Sequence, residues 1–167
     1  MVGADFLDWV RKRQARDEEF SERLITFRST AYRLAMKIVG SADMAEDVAQ
    51  AALMTAWKRR STLADFGAFD AWLRKIVVHT AINSIKRTIP VAELQESMCT
   101  ESISDETLQV AQVLSRLNAP YRVILALAIG EQLSYREIAE TLGIPEGTVS
   151  SRLNAAKNAF RKVWEEE

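Results

Sequence analysis

The chain has 167 residues, 48% hydrophobic and 27% charged, with a formal net charge of −1; these proportions fit one globular domain or two small ones and exclude fibrous and disordered classes. A single cysteine, Cys99, and a single histidine, His79, exclude an internal disulfide and leave too few soft ligands for a structural zinc site. No run approaches the roughly 20 apolar residues of a membrane span and no signal segment opens the chain, so the expected compartment is the cytoplasm.

Proline and glycine are scarce, and the periodicity predicts an all-α chain. A short helix over 5–15 carries Phe6, Trp9, Val10 and Arg13 at helical spacing; this patch has no evident role beyond packing on the first domain. A longer helix over 18–38 is ended by Gly40. Ser41 caps a helix to about Arg60, with Asp43 in its first turn and Lys58, Arg59 and Arg60 in its last, the order that the helix dipole favours. A third long helix over 68–88 places Phe69, Trp72, Leu73, Ile76, Val77 and Thr80 on one face, and Pro90 stops it. Residues 90–104 show no periodicity and read as a flexible linker; helices over 105–116, 119–130, 134–142 and 146–164 follow. The expected organisation is an N-terminal extension (1–17), a three- or four-helix domain (18–89), a linker (90–104) and a second helical domain (105–167). Domains of this size bury limited core, so each is expected to be marginally stable alone.

The near-zero net charge speaks against a free-standing nucleic-acid binder, but the charges are segregated. Lys75–Arg87 and Arg152–Lys162 contain bases and no acid, whereas the stretch between Arg87 and Arg116 holds Glu93, Glu96, Glu101, Asp105 and Glu106 and no base. Two basic helical segments thus flank an acidic strap.

Ser134-Tyr135-Arg136-Glu137 has the form of a capping box, with Leu133 and Ile138 where a hydrophobic staple puts them. Gly143, Ile144 and Pro145 then turn the chain sharply into another helix, which is a helix-turn-helix. On that second helix Val149, Leu153, Ala156, Phe160 and Val163 form the apolar stripe, which leaves Ser151, Asn154, Ala155 and Asn158 facing away, with Arg152 and Lys157 at the margins. Short polar groups can approach base edges in a major groove while marginal cations hold phosphates. A solvated helix face is the plainer alternative.

The segment LSYREIAETLGIPEGTVSSRL closely resembles the promoter-reading domain of bacterial extracytoplasmic-function (ECF, group 4) sigma factors of the sigma-70 family. Upstream, SADMAEDVAQAALMTAW resembles the family's core-polymerase-binding helix and FDAWLRKIVVHTAINSIKR its −10 segment. The resemblance implies two helical domains, region 2-like and region 4-like, that bring core RNA polymerase to promoter DNA, with the clamp helices and the flap of the polymerase as contacts. It implies polymerase binding at Asp43, Glu46, Asp47, Gln50 and Met54. For −10 contacts it implies Arg74, Lys75, His79, Asn83, Lys86 and Arg87. For −35 contacts it implies Ser134, Tyr135, Thr148, Ser150, Ser151, Arg152, Asn154, Ala155 and Lys157.

The helical face of Asp43, Asp47, Gln50 and Met54, with Glu46 beside it, suits docking on a basic, partly apolar helix, and equally a solvated surface. Lys75, His79, Ile82 and Lys86 line a face able to track a phosphate backbone. Trp72 could stack on a base, but its place in the apolar stripe favours core packing. The chain departs from the family at Val48, Ala49, Ala51 and Leu53, at Val78-His79 and Asn83, and at Ser150, Asn154 and Ala155, where many relatives carry a cation and a larger reader. Fewer cations predict weak promoter binding by the isolated chain, with polymerase supplying the rest. The acidic strap could imitate a polyanion in the polymerase channel or serve as a charged tether.

No phosphate loop, nucleophile elbow or metal-ligand cluster appears, so no catalytic residue, cofactor or metal is expected. The rival readings are a sigma-like decoy that sequesters an anti-sigma factor and an ordinary helix-turn-helix regulator. Paired domains on a tether are easily clamped, which makes an anti-sigma factor an expected partner.

Overall fold

The structure, a computed structural model, describes residues 2–88 and 105–166, and its regular elements are helical throughout. The strap over 90–104, Cys99 included, lies outside the described residues. The first unit consists of α1 (Val2–Val39), α2 (Ala42–Lys58) and α3 (Phe69–Thr88), with two short 3₁₀ turns, Arg60–Thr62 and Phe66–Ala68, between α2 and α3. The second unit consists of α4 (Asp105–Arg116), α5 (Ala119–Leu125) continued by a π turn (Ala126–Gly130), α6 (Tyr135–Leu142) and α7 (Glu146–Glu165).

The two helices expected over 5–15 and 18–38 are one continuous α1. Nothing between Gln14 and Glu18 breaks a helix: the residues there are good or neutral helix formers, with neither glycine nor proline. Ser21 Oγ donates back to the Asp17 carbonyl at 2.9 Å without interrupting the ladder. Gly40, at φ +75°, ends α1, and Ser41 Oγ accepts from the Met44 N–H to start α2.

Phe20, 2% exposed, centres the first unit, with Phe69, Trp72, Trp57 and Phe66 around it at centroid distances of 5.4, 5.9, 6.1 and 6.2 Å. Trp72 therefore packs in the aromatic core. Beneath this cluster Ala31, Leu34, Ala35 and Ile38 of α1 meet Ala45, Val48, Ala49 and Ala52 of α2, all buried. The small residues of α2 let the two helices approach closely.

The units share one connected apolar core rather than two. On α3, Leu73 and Val77 face α1 and α2, and a second buried row, Val78, Ala81 and Ile85, extends the packing to α5 and α6. Polar ties close the seam. Arg122 of α5 donates from Nε to the Ile38 carbonyl at 3.1 Å and from a terminal nitrogen to the Ser115 and Leu117 carbonyls at 3.0 and 3.2 Å. The last carbonyls of a helix lack intrahelical partners and carry partial negative charge, so a guanidinium at the end of α1 satisfies both needs. Burial holds the Arg122 guanidinium below its ordinary pKa. Lys37 Nζ reaches the Gly130 carbonyl and Glu131 Oε1, both at 2.9 Å, and Arg74 Nε lies 3.7 Å from Glu131 Oε2.

The Glu131 side chain is 13% exposed and bridges cations from α1 and α3. Glu131→Ala is expected to cost about 1.5–3 kcal/mol, the range for hydrogen bonds to charged groups. Urea unfolding measures this, and a spin-label distance between α2 and α7 should broaden as the seam loosens.

Candidate functional site

The helix-turn-helix forms as its local chemistry dictates. Ser134 Oγ accepts from the Glu137 N–H at 3.3 Å and Glu137 Oε2 accepts from the Ser134 N–H at 2.8 Å, completing the capping box. The Ser134 hydroxyl and amide hold the Glu137 carboxyl below its ordinary value. Gly143, at φ +66° and ψ 38°, supplies the left-handed turn, and the Gly143 and Ile144 amides both donate to the Ala139 carbonyl at 2.8 and 3.1 Å. Ile138 is fully buried, Leu133 and Ile144 pack at the edge of the core, and Pro145 opens α7.

On α7, Val149, Leu153 and Ala156 are buried and Phe160 and Val163 are half-buried, as the spacing predicts. Ser151, Asn154, Lys157 and Asn158 are exposed, while Thr148, Ser150, Arg152 and Ala155 are half-buried along the margin. Ser134 and Tyr135 are exposed at the start of α6, Tyr135 at 43%. None of the −35 candidates is buried: they lie at the start of α6 and on the outward and marginal positions of α7.

The polymerase-binding candidates also fall together. Asp43, Glu46, Asp47, Gln50 and Met54 are all exposed on α2, opposite its buried alanines, with Met54 at 56%. Glu46 meets Arg28 of α1 at 3.2 Å, a solvent-exposed pair of little energetic weight. An exposed thioether ringed by carboxylates and an amide can seat on a basic helix with an apolar stripe.

The −10 candidates divide. Lys75, His79, Asn83, Lys86 and Arg87 are exposed along α3. Arg74 lies on the row of Val78, Ala81 and Ile85, so it turns to the seam and pairs with Glu131. His79 Nε2 is 3.0 Å from the Thr141 carbonyl at the end of α6. A carbonyl only accepts, so this nitrogen carries the proton. Lys37, Arg122 and Glu131, the charges that hold the units together, were missed from sequence. Their signal is weak: a lysine at the end of one helix, an arginine inside an apolar one and a glutamate in a turn.

Among the described residues no group of acids, cysteine and histidine could hold a metal ion, and no helix is long and apolar enough to cross a membrane.

An outward helix-turn-helix joined to a three-helix unit that carries an exposed acidic face has the form of a DNA-binding protein. Residues 25–88 match the family described as Sigma-70 region 2 and residues 107–160 that described as Sigma-70, region 4. The chain is 31% identical over 146 residues to the ECF RNA polymerase sigma factor SigL of Mycobacterium tuberculosis, covering 81% of this chain and 82% of that one. It is 26% identical over 165 residues to the ECF RNA polymerase sigma factor SigW of Bacillus subtilis, covering 87% and 88%. It is 31% identical over 151 residues to the RNA polymerase sigma-E factor of Streptomyces coelicolor, covering 86% and 85%. In fold it is similar to the sigma factor RpoE of Bartonella quintana, solved in complex with the anti-sigma factor NepR, with a TM-score of 0.73 and 20% identity over 89% of this chain and 98% of that one. The chain belongs to the ECF sigma factors of the sigma-70 family.

Two local substitutions test the helix-turn-helix. Ser134→Ala should destabilise by about 1 kcal/mol through loss of the cap, and Gly143→Ala by about 1–2 kcal/mol through the left-handed backbone; thermal melts read both. A carboxylate with a depressed pKa stabilises the folded state only while ionised. The Glu137 contribution is therefore complete above its ordinary value of 4.5 and fades as pH falls through the lower folded value. Glu137→Gln should flatten the stability profile across that acidic window.

Proposed function

We propose that this chain directs promoter-specific initiation by core RNA polymerase, with the work divided among the three exposed surfaces. The α2 face docks on the polymerase, α7 reads duplex DNA at the −35 element, and the exposed side of α3 holds the −10 element as its strands part. The observation that carries the reading is the co-occurrence of an outward reading helix and an exposed acidic face on separate units of one chain. The contact between two units explains why the isolated chain should bind promoter weakly. Engaging the −10 element with Arg74 and His79 requires α3 to leave Glu131 and Thr141, and that cost lowers apparent affinity in proportion to the rarity of the open form. Polymerase stabilises the separated arrangement by binding it preferentially. An anti-sigma factor would act in the opposite sense, by covering the α2 face or holding the seam shut.

Reconstituted transcription distinguishes this role from its rivals. Core polymerase with this chain alone should initiate at a specific promoter; a decoy would only relieve an inhibitor, and a conventional regulator would need another sigma factor. Asp47→Arg combined with Met54→Ala should weaken core binding about 10-fold or more without altering the melting curve, measured by titration against labelled polymerase. Replacing Arg152 and Lys157 with glutamine should make the salt dependence of holoenzyme–promoter affinity shallower by about 0.9 for each phosphate no longer neutralised.

A further inference from the structure

Between α5 and α6 one short stretch carries three marks of conflict. The first is the π turn itself, Ala126–Gly130, in which the Glu131 N–H reaches back to the Ala126 carbonyl at 2.9 Å and the Leu133 N–H to the Leu127 carbonyl at 3.1 Å. Such turns hold one residue more than an α-helical turn, are rare, and gather at functional positions. The second is Gln132, at φ +54°, which among the described residues is the one non-glycine with a positive φ. A left-handed backbone disfavours a residue with a Cβ by about 5- to 30-fold in population. The third is Ile129, a large apolar side chain that stands 62% exposed.

Gly130 could end α5 without this conflict. Glycine takes the left-handed position after a helix at no steric cost and is the common residue there. In the structure, however, Gly130 lies inside the π turn and outside the left-handed region, and Gln132 bears the positive φ instead. The groups that hold this register belong to the first unit. Lys37 Nζ donates to the Gly130 carbonyl and to Glu131 Oε1, and the Lys37 chain passes so close that a Cβ on Gly130 would stand 3.0 Å from its Cδ. Arg74 Nε, 3.7 Å from Glu131 Oε2, is buried there without a hydrogen-bond partner. Strained backbone persists only where its surroundings over-determine it. Here those surroundings are α1 and α3.

We propose that residues 126–132 form a two-register switch controlled by contact with the first unit. With the units joined, Lys37 and Arg74 hold the π register and Gln132 is forced left-handed. With the units apart, α5 ends in α-helical register, Gly130 takes the left-handed position, and Gln132 relaxes into an unstrained connection to Ser134, the cap of α6. The strain therefore belongs to the closed form alone. Its release on opening offsets part of the loss of the bonds made by Lys37, Arg74 and Arg122, and so keeps the open form within reach of a partner that binds it preferentially. What that release does for initiation rests on the promoter role proposed above; the change of register does not.

Gln132→Gly tests the switch, because it relieves the closed register and alters no charge. In the full-length chain, spin labels on exposed positions of α2 and α7 report closed and open forms as short and long distances, and carbon-13 shifts report the backbone at residues 130 and 132. Lys37→Gln with Glu131→Ala should raise the ratio of open to closed, and the left-handed shift should pass from residue 132 to residue 130 as it rises. Gln132→Gly, in the native chain and in that opened chain, should lower the ratio about 5- to 30-fold, whereas Gln132→Ala, which keeps the strain, should leave it unchanged. Three outcomes overturn the switch: the doubly substituted chain stays closed, Gln132 stays left-handed once the units part, or Gln132→Gly raises the melting temperature while the ratio holds. None of these measurements involves polymerase. A chain that changes register yet fails to initiate sinks the promoter role alone, and one that initiates with Gln132 left-handed in both forms sinks the switch alone.

Discussion

A half-buried arginine of α5, set against the end of α1, fixes the arrangement on which the rest depends. Arg122 gathers the Ile38, Ser115 and Leu117 carbonyls around one guanidinium and so ties the first unit, the α4–α5 turn and α5 to a common point. The apolar core then runs through that point without a break, and α3 becomes a helix owned by both units. Each unit alone has too little interior to be robust, and sharing a core offsets that deficit. The row of α3 that stabilises the pair, Arg74, Val78, Ala81 and Ile85, is covered as a result.

Most of the fold was legible because local chemistry and global packing agree. Ser41, Ser134, Gly40, Gly143 and Pro145 mark helix boundaries by backbone requirements that hold in any context. The faces of α2 and α7 follow from spacing for the same reason. The break expected near residue 16 was an artefact of where apolar residues thin out; once a helix leaves its core, charged side chains can still propagate it.

The candidate site was legible only where it faces solvent. The covered positions Val78, Ala81, Ile85 and Arg74, and the bond that exposed His79 makes to Thr141, could not be assigned from spacing, because their partners lie beyond the linker. A basic helix contacted on one side by a distant unit has the same period as one exposed on that side. Trp72 illustrates the converse: it shares the apolar stripe of α3 with Phe69 and Leu73, so spacing identified its packing, which is against Phe20 of α1, correctly.

Three of the bonds across the seam end on main-chain oxygens, at Ile38, Gly130 and Thr141. Main-chain oxygens are present whatever side chain a codon specifies, so only the donor of each pair is under sequence control. Drift at the acceptor positions can retune packing volume while leaving the latch chemically intact, whereas loss of a donor is felt at once. A lineage could therefore adjust how tightly the two units hold together through single changes at Lys37, His79 or Arg122, without rebuilding the exposed faces of α2 or α7.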